Sequence, residues 1–392
     1  MSKNNFFTII DYGSSTIRLG VFSDDLRNLY TSAKDFITKN DYEEQYSYLN
    51  ILIKEAEKKI SKHLDSAIIL YDTPEIYTID ISLRKDFDQE ISIKEIYSSI
   101  ILESNQLINN NYIDKKIIHL ITTKNIIDGE EINENFDKNL KAKSIIVEVK
   151  FICLRLDEYE NILKVFKENN LQILNVYCSS YIKSLSYINS VNENKLVSFL
   201  DIGFERSTLL LFNNKKLINM KSIPVGGNHI TKDISNVLKL NIEDSEKIKK
   251  AFNKSENEFS YDQDINESNS NIQEILGKSV SIDLLKKVVL SRVEEIFELI
   301  FKDINLFNYS QEKSNIHIVL IGKGSKLFDK NSFHLNDKFS FKEIIYYDED
   351  DVEICKSGLV FEENLSKDPV RIVTKSKKKY GIFERFFNFF GR

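Results

Sequence analysis

Glycine is scarce in this chain, and its placement limits where the backbone can turn tightly. Only 12 of 392 residues are glycine, about half of ordinary usage, so each one kept marks a place where a side chain is unwelcome. Half of them lie in four short turns: Gly13 in IIDYGSST, Gly203 in FLDIGFERST, Gly226 and Gly227 in IPVGGNHIT, and Gly322 and Gly324 in IVLIGKGSK. Each turn adjoins an apolar, β-branched run that reads as a buried strand. Backbone N–H groups in such turns can approach an anion closely, as phosphate-binding loops do. Four of them spread along the chain predict two lobes closing on one nucleotide.

A chain of 392 residues is too long for one core and predicts two or more domains. With 54 basic against 60 acidic residues the formal charge is −6. No basic excess exists to release counterions, which argues against nucleic acid as a partner. Cys153, Cys178 and Cys355 are far apart and have no metal or redox spacing, so they read as reduced thiols of a cytosolic protein. The five histidines form no ligand pair. MSKNNFFTIIDYG enters a strand without the apolar stretch of about 7–15 residues that a signal peptide needs. No run approaches the ~18 apolar residues of a spanning helix. The expectation is a cytoplasmic protein, unless something at one end ties it to a membrane.

Two segments echo each other. Asp11-Tyr12-Gly13-Ser14-Ser15-Thr16 is followed by an apolar strand from Ile17 to Phe22, and Asp201-Ile202-Gly203 onward to Thr208 is followed by Leu209 to Phe212. Asp-x-Gly alone is ordinary hairpin chemistry. Two copies with adjoining hydroxyls, each heading one half of the chain, argue for a duplicated site. Between and after them the periodicity predicts helices at 41–62, 92–107, 157–174, 230–238, 243–252, 282–303 and 351–361. Strands are predicted at 67–71, within 117–132 around Asp128-Gly129, at 144–154 and at 316–321. Residues 253–271 are polar and read as a surface loop.

In the nucleotide reading, amides around Gly13–Thr16 and Gly203–Thr208 grip phosphates, aided by Ser14, Ser15, Thr16, Arg206 and Ser207. Gly226 and Gly227 lie in the turn beside them. Asp11 and Asp201 would hold a hydrated Mg²⁺, a cation that keeps several waters and needs one or two carboxylates. Glu246 and Lys249 share a helix face and would reach a ribose or base. The turn Gly322-Lys323-Gly324-Ser325 would pass under an adenine ring.

These segments resemble the actin/Hsp70/hexokinase superfamily and, within it, the bacterial FtsA family. IIDYGSST resembles the first phosphate loop, LDIGFERSTLLLF the second, IVLIGKGSK the adenosine loop, and Glu246-x-x-Lys249 the adenosine-side Glu-x-x-Lys. IIHLITTKNIIDGEEI (117–132), SIPVGGNHITKDIS (222–235), SRVEEIFELI (291–300) and KSGLVFEE (356–363) are similar to FtsA segments. The resemblance implies an α/β actin-like fold of two lobes, each a mixed sheet flanked by helices, with ATP and Mg²⁺ as ligands. Subdomain 1A would take 1–80 and 163–195, an inserted subdomain 1C 81–162, subdomain 2A 196–230 and 291–363, and subdomain 2B 231–290. Two departures matter. Phe204-Glu205-Arg206 replaces the usual Gly-Gly-Thr after the first glycine of the second loop. FDKNLKAKS (136–144) stands where the family has Gly-Met-x-Gly. At most weak ATP hydrolysis is expected, and no residue stands out as a catalytic base.

The C-terminal end adds a second signal. A basic polar linker (364–379) precedes KKKYGIFERFFNFFGR. At roughly 100° per residue, Ile382, Phe383, Phe386, Phe387, Phe389 and Phe390 fall on one side of a helix over 380–392. Glu384, Arg385, Asn388 and Arg392 fall on the other, with Lys375, Lys377, Lys378 and Lys379 just before it. This reads as an in-plane membrane anchor, which the resemblance also implies. Burial of each Phe contributes up to ~1.5–3 kcal/mol and each nearby Lys about 1 kcal/mol, so binding is reversible and gains from several copies on one filament. The implied role is to tie the tubulin-like protein FtsZ, through its C-terminal peptide, to the cytoplasmic face of the inner membrane at the division site, with self-assembly and recruitment of later division proteins. The alternatives are a PilM-like structural part of a pilus machine and a sugar kinase of the same fold.

Overall fold

A computed structural model of the chain describes residues 6–36, 42–132, 140–191, 196–251, 282–302, 317–327 and 343–367. The predicted loop at 253–271 and the anchor at 380–392 lie outside these residues.

The chain divides into two compact units. The larger joins Met1–Ile79, Asp114–Thr123 and Lys150–Leu359, and the smaller joins Asp80–Ile113, Lys124–Val149 and the stretch from Val360 on. Inside the larger unit the two halves repeat one topology. Strands β1 (Phe6–Tyr12), β2 (Thr16–Ser23), β3 (Asn28–Asp35), β4 (Ser66–Tyr71) and β9 (Gln172–Cys178) form a sheet in the order β3-β2-β1-β4-β9. Strands β10 (Leu196–Ile202), β11 (Ser207–Asn213), β12 (Lys216–Ile223), β13 (His317–Ile321) and β14 (Glu343–Tyr346) form a second sheet in the matching order β12-β11-β10-β13-β14. In each sheet the first three strands are antiparallel and the rest parallel. The central strands are buried nearly end to end, as IIDY and FLDI require of strands covered on both faces.

Helix α1 (Tyr42–Ile60) packs on β2 and β3, while α5 (Gly227–Leu238), α6 (Ile242–Ala251) and α7 (Ile282–Phe301) serve the second half. Leu285, Val289, Val293, Ile296, Phe297 and Ile300 recur at helical spacing along α7, and all are fully buried. With Leu200, Leu209, Leu211, Ile230, Ile234 and Leu320 they build the core of that half. Helix α8 (Asp351–Lys367) returns to the first half, where Gly358 sits against Leu70 and Ile9. The sequence reading ended this helix at residue 361; it runs to Lys367, because the polar residues from Glu362 on are compatible with a helix that need not bury every face.

In the region of the smaller unit, β5 (Tyr77–Ser92), α2 (Ile93–Asn111), β6 (Lys115–Ile127), β7 (Glu130–Ile132) and β8 (Lys141–Arg155) make a sheet ordered β5-β8-β6-β7. The expected turn at Asp128-Gly129 is present, with φ of 49° and 90°, the positive pair that a tight two-residue hairpin turn demands. Asp128 Oδ1 accepts the N–H groups of Lys143 and Ser144 at 3.0 and 2.7 Å. One helix was misjudged. α3 covers Leu156–Glu168 instead of running to 174. Asn170 at φ 58° breaks it, and QILNVYC then forms β9, leading into α4 (Ser179–Tyr187).

Phe297 is fully buried, with its ring 5.8 Å from that of Phe301. Phe297→Ala is expected to lower unfolding stability by about 3–5 kcal/mol, read as a drop in the urea midpoint at unchanged slope.

Candidate functional site

The two hairpins that head the halves of the larger unit close with the same geometry. In β1–β2 the Gly13 N–H donates to Thr16 O at 3.0 Å, and in β10–β11 the Gly203 N–H donates to Arg206 O at 2.9 Å. Asp11 and Asp201 occupy equivalent positions one residue before the strand end, so the carboxylates of both halves meet at one cleft. Its empty space, counted out to its open mouth and so including bulk solvent, is ≈ 550 Å³.

That cleft is built from ion pairs. Asp11 Oδ2 receives Arg18 Nη1 at 2.6 Å, and its Oδ1 receives Ser179 Oγ at 2.7 Å. Arg18, one strand across from Asp11, also donates to Asp351 at the start of α8. Lys183 Nζ on α4 lies 2.8 Å from Asp201 Oδ2 and 3.1 Å from Glu349 Oε1. Arg206 donates to Asp72 at the end of β4, lies 3.4 Å from Asp201, and donates to Thr208 Oγ1 at 2.6 Å. Asp72 also accepts the Ser180 N–H and hydroxyl at 2.8 and 2.6 Å. At the rim, Lys323 Nζ reaches Asp35 Oδ1 at 2.6 Å and Thr16 Oγ1 at 3.0 Å.

Burial and charge set how these groups titrate. Burial alone would raise the Asp201 carboxyl, but Lys183 and Arg206 reverse this and hold it well below the usual carboxylate range. Lys183 is itself raised: burial opposes its charge, and Asp201, Glu349 and Asp11 outweigh that. Glu349 and Asp72 go the other way, pushed up mainly by burial despite the cations beside them.

The remaining predicted residues mostly serve the protein itself. Gly227 N–H donates to Gly203 O at 2.9 Å and Asn228 N–H to Phe204 O at 2.6 Å, so the first amides of α5 cap the second loop. Gly226 is needed because a Cβ there would lie 2.6 Å from Gly203 O and 2.7 Å from Arg206 N. Gly322, at φ 86°, lies against Asp201 Oδ1 and would place a Cβ 2.6 Å from Ile202 O. Close approach is thus of chain to chain, a use of glycine that the anion reading did not foresee. Ser207 Oγ donates to Val225 O at 2.8 Å and Ser325 Oγ to Gly322 O at 2.6 Å. Gly324 packs on Ile202. Glu246 and Lys249 pair with each other at 2.6 Å, both buried. Lys249 also donates to Gly227 O at 2.9 Å and lies 5.5 Å from the centre of the Phe204 ring. Phe204, which stands where the family usually has glycine, keeps an ordinary negative φ, since no residue from 203 to 206 has φ above zero. The hydroxyls of Ser14 and Ser15, by contrast, line the cleft and make no hydrogen bond among the described residues.

The donor set therefore separates the two expected ligands. Ser14, Ser15 and the cations Lys183 and Arg206 are suited to an anion such as a phosphate chain. A divalent metal is not matched: both oxygens of Asp11 are engaged, and Asp201 already faces an ammonium, a guanidinium and Gly322. Sequence reasoning missed Arg18, Asp72, Lys183 and Glu349. Asp72 carried a signal, since it ends an apolar strand (AIILYD) just as Asp11 and Asp201 lie at the ends of theirs.

The titration directions fix a pH response. A raised carboxyl disfavours the fold once ionised, so stability should rise as pH is lowered toward the ordinary carboxylate range near about 4, while Glu349 and Asp72 take up protons. Asp201 is depressed, so its contribution is complete above about pH 4 and is lost below it. Urea midpoints against pH test this, and Glu349→Gln should flatten that rise.

Residues 198–327 match the family model of cell division protein FtsA. FtsA of Bacillus subtilis is 22% identical over 325 residues, which is 78% of this chain and 70% of that protein. FtsA of Agrobacterium fabrum is also 22% identical, over 71% of this chain and 62% of its own length. The Helicobacter pylori FtsA match is 24% identical over 136 residues, 35% of this chain and 27% of that protein. Among solved structures, a PilM–PilN type IV pilus biogenesis complex superposes with a TM-score of 0.59 at 12% identity, covering 91% of this chain and 98% of that one. MreB 5 of Spiroplasma citri bound to AMPPNP superposes with a TM-score of 0.50 at 12% identity, covering 93% and 98%. The chain is thus similar to the FtsA cell division proteins, most specifically over residues 198–327, and has the actin-like fold of the PilM–PilN and MreB structures.

Proposed function

We propose that this protein is an actin-like division adaptor that holds FtsZ polymers to the cytoplasmic face of the inner membrane. The observation that carries the reading is the FtsA match over 198–327, a stretch that runs through the second loop, α5, α6, α7 and the Gly322 turn. The C-terminal residues support the membrane role: Lys378 and Lys379 precede an apolar face of Ile382, Phe383, Phe386, Phe387 and Phe390. Such a face lies in the headgroup region and does not span the bilayer, and no helix among the described residues is long and apolar enough to span one. The partner peptide from FtsZ docks on the subdomain around 231–290, copies of the chain assemble with each other, and later division proteins join that assembly.

Adenine nucleotide is the ligand proposed for the cleft, with ATP hydrolysis weak or absent. Its phosphates would bond Ser14 and Ser15 and draw Arg206 and Lys183 from their carboxylates, which couples occupancy to the contacts between the halves. The superposition on the PilM–PilN complex keeps a second reading in view, a pilus-machine component.

Co-sedimentation with anionic liposomes separates them. The full chain is expected to pellet and a chain ending at Thr374 to stay in solution, with ATP increasing the pelleted fraction of the full chain. Immobilised FtsZ C-terminal peptide should retain both forms. If neither form pellets and the peptide retains nothing, the adaptor reading is wrong and the pilus reading takes its place.

A further inference from the structure

Among the described residues, ion pairs made by the chain's own cations join the two halves of the larger unit. Arg206 of the second half reaches Asp72 of the first. Lys183 of the first reaches Asp201 of the second at 2.8 Å. Lys323 of the second reaches Asp35 of the first at 2.6 Å. Lys183 is the central one: its ammonium sits on the carboxylate expected to face a metal, and it draws in Glu349. Glu349 in turn accepts the N–H of Gly322 at 2.9 Å, so the Gly322 turn is tied to the same lysine.

We propose that Lys183, with Arg206 and Lys323, does in this cleft what a divalent cation would do, and latches the two halves together in the absence of both metal and nucleotide. Three features support this. Lys183, Asp201, Arg206 and Asp72 have side chains at most 10% exposed, and charges so buried persist only when paired. Neighbouring groups add hydrogen bonds: Ser180 donates to Asp72 and Arg206 donates to Thr208, while Ser179 donates to Asp11 and the Gly322 N–H to Glu349 in the same cluster. The pairs also cross the cleft, so opening it must separate each charge from its partner. A metal entering at Asp201 would have to expel Lys183 and leave Glu349 to find a new partner.

The inference stands apart from the adaptor reading, because it concerns closure of the ligand-free chain and needs neither lipid nor FtsZ peptide. Hydrogen–deuterium exchange of the full chain tests it. Peptides covering 11–16, 201–208 and 322–327 should exchange at the same rate in EDTA and in excess MgCl₂, without nucleotide. The pair Lys183→Met with Glu349→Gln should speed exchange of all three about tenfold, as loss of a buried cross-cleft pair implies, and MgCl₂ should not restore protection. Should that variant fail to fold, Lys323→Ala removes only the rim bridge, where Lys323 is 45% exposed. It should speed exchange at 13–16 and 322–325 severalfold, again without rescue by MgCl₂. Protection of the wild-type loops by MgCl₂ alone, or variant exchange equal to wild type, would overturn the proposal.

Discussion

The buried ionic cluster at the mouths of β1 and β10 is the constraint on which the rest of the larger unit depends. Each half offers a carboxylate near the C-terminal end of its central strand, Asp11 and Asp201, and a third comes from Asp72 at the end of β4. Left unpaired, buried carboxylates would cost more than the surrounding core could offset. Arg18, Lys183 and Arg206 make the arrangement tenable by sitting among them. The elements that carry these cations are therefore held in place by electrostatics as well as by packing. Helix α4 must present Lys183, and α8 must begin where Asp351 meets Arg18.

This cluster also explains why the second loop tolerates Phe204-Glu205-Arg206 in place of small residues. The loop keeps ordinary backbone angles and receives the Gly227 and Asn228 amides from α5. The Phe204 ring lies beside Lys249, and Arg206 turns inward to Asp72. Residues that look like obstacles to a phosphate are thus structural members of the cleft. An anion entering here competes with carboxylates for Lys183 and Arg206, so its binding is linked to how tightly the halves are held.

Duplication gives the site its symmetry, and the differences between the copies give it direction. Both sheets share one strand order and both hairpins the same glycine-closed turn. Yet the position of Thr16 in the first turn is taken by Arg206 in the second, and the position of Arg18 by Thr208. One half thus keeps free hydroxyls at Ser14 and Ser15, while the other supplies the guanidinium that crosses the cleft. The FtsA family model matches residues 198–327, the stretch where that guanidinium resides.

The sequence by itself determined what depends on neighbours along the chain. Apolar β-branched runs ending in Asp-x-Gly specify the two hairpins, the Asp128-Gly129 pair specifies its turn, and the apolar stripe of α7 specifies which face is buried. The break at Asn169-Asn170 was also written locally, although helical periodicity on either side masked it. The tertiary structure alone decided the charge pairing. Asp72 and Arg206 are 134 positions apart, Lys323 and Asp35 288, and Arg18 and Asp351 333. No spacing rule links residues so distant, because Coulomb and hydrogen-bond energies depend on separation in space and only the folded sheets set that. For the same reason the glycines were legible as points of close approach, while what approached them, another stretch of the same chain, became visible only in three dimensions.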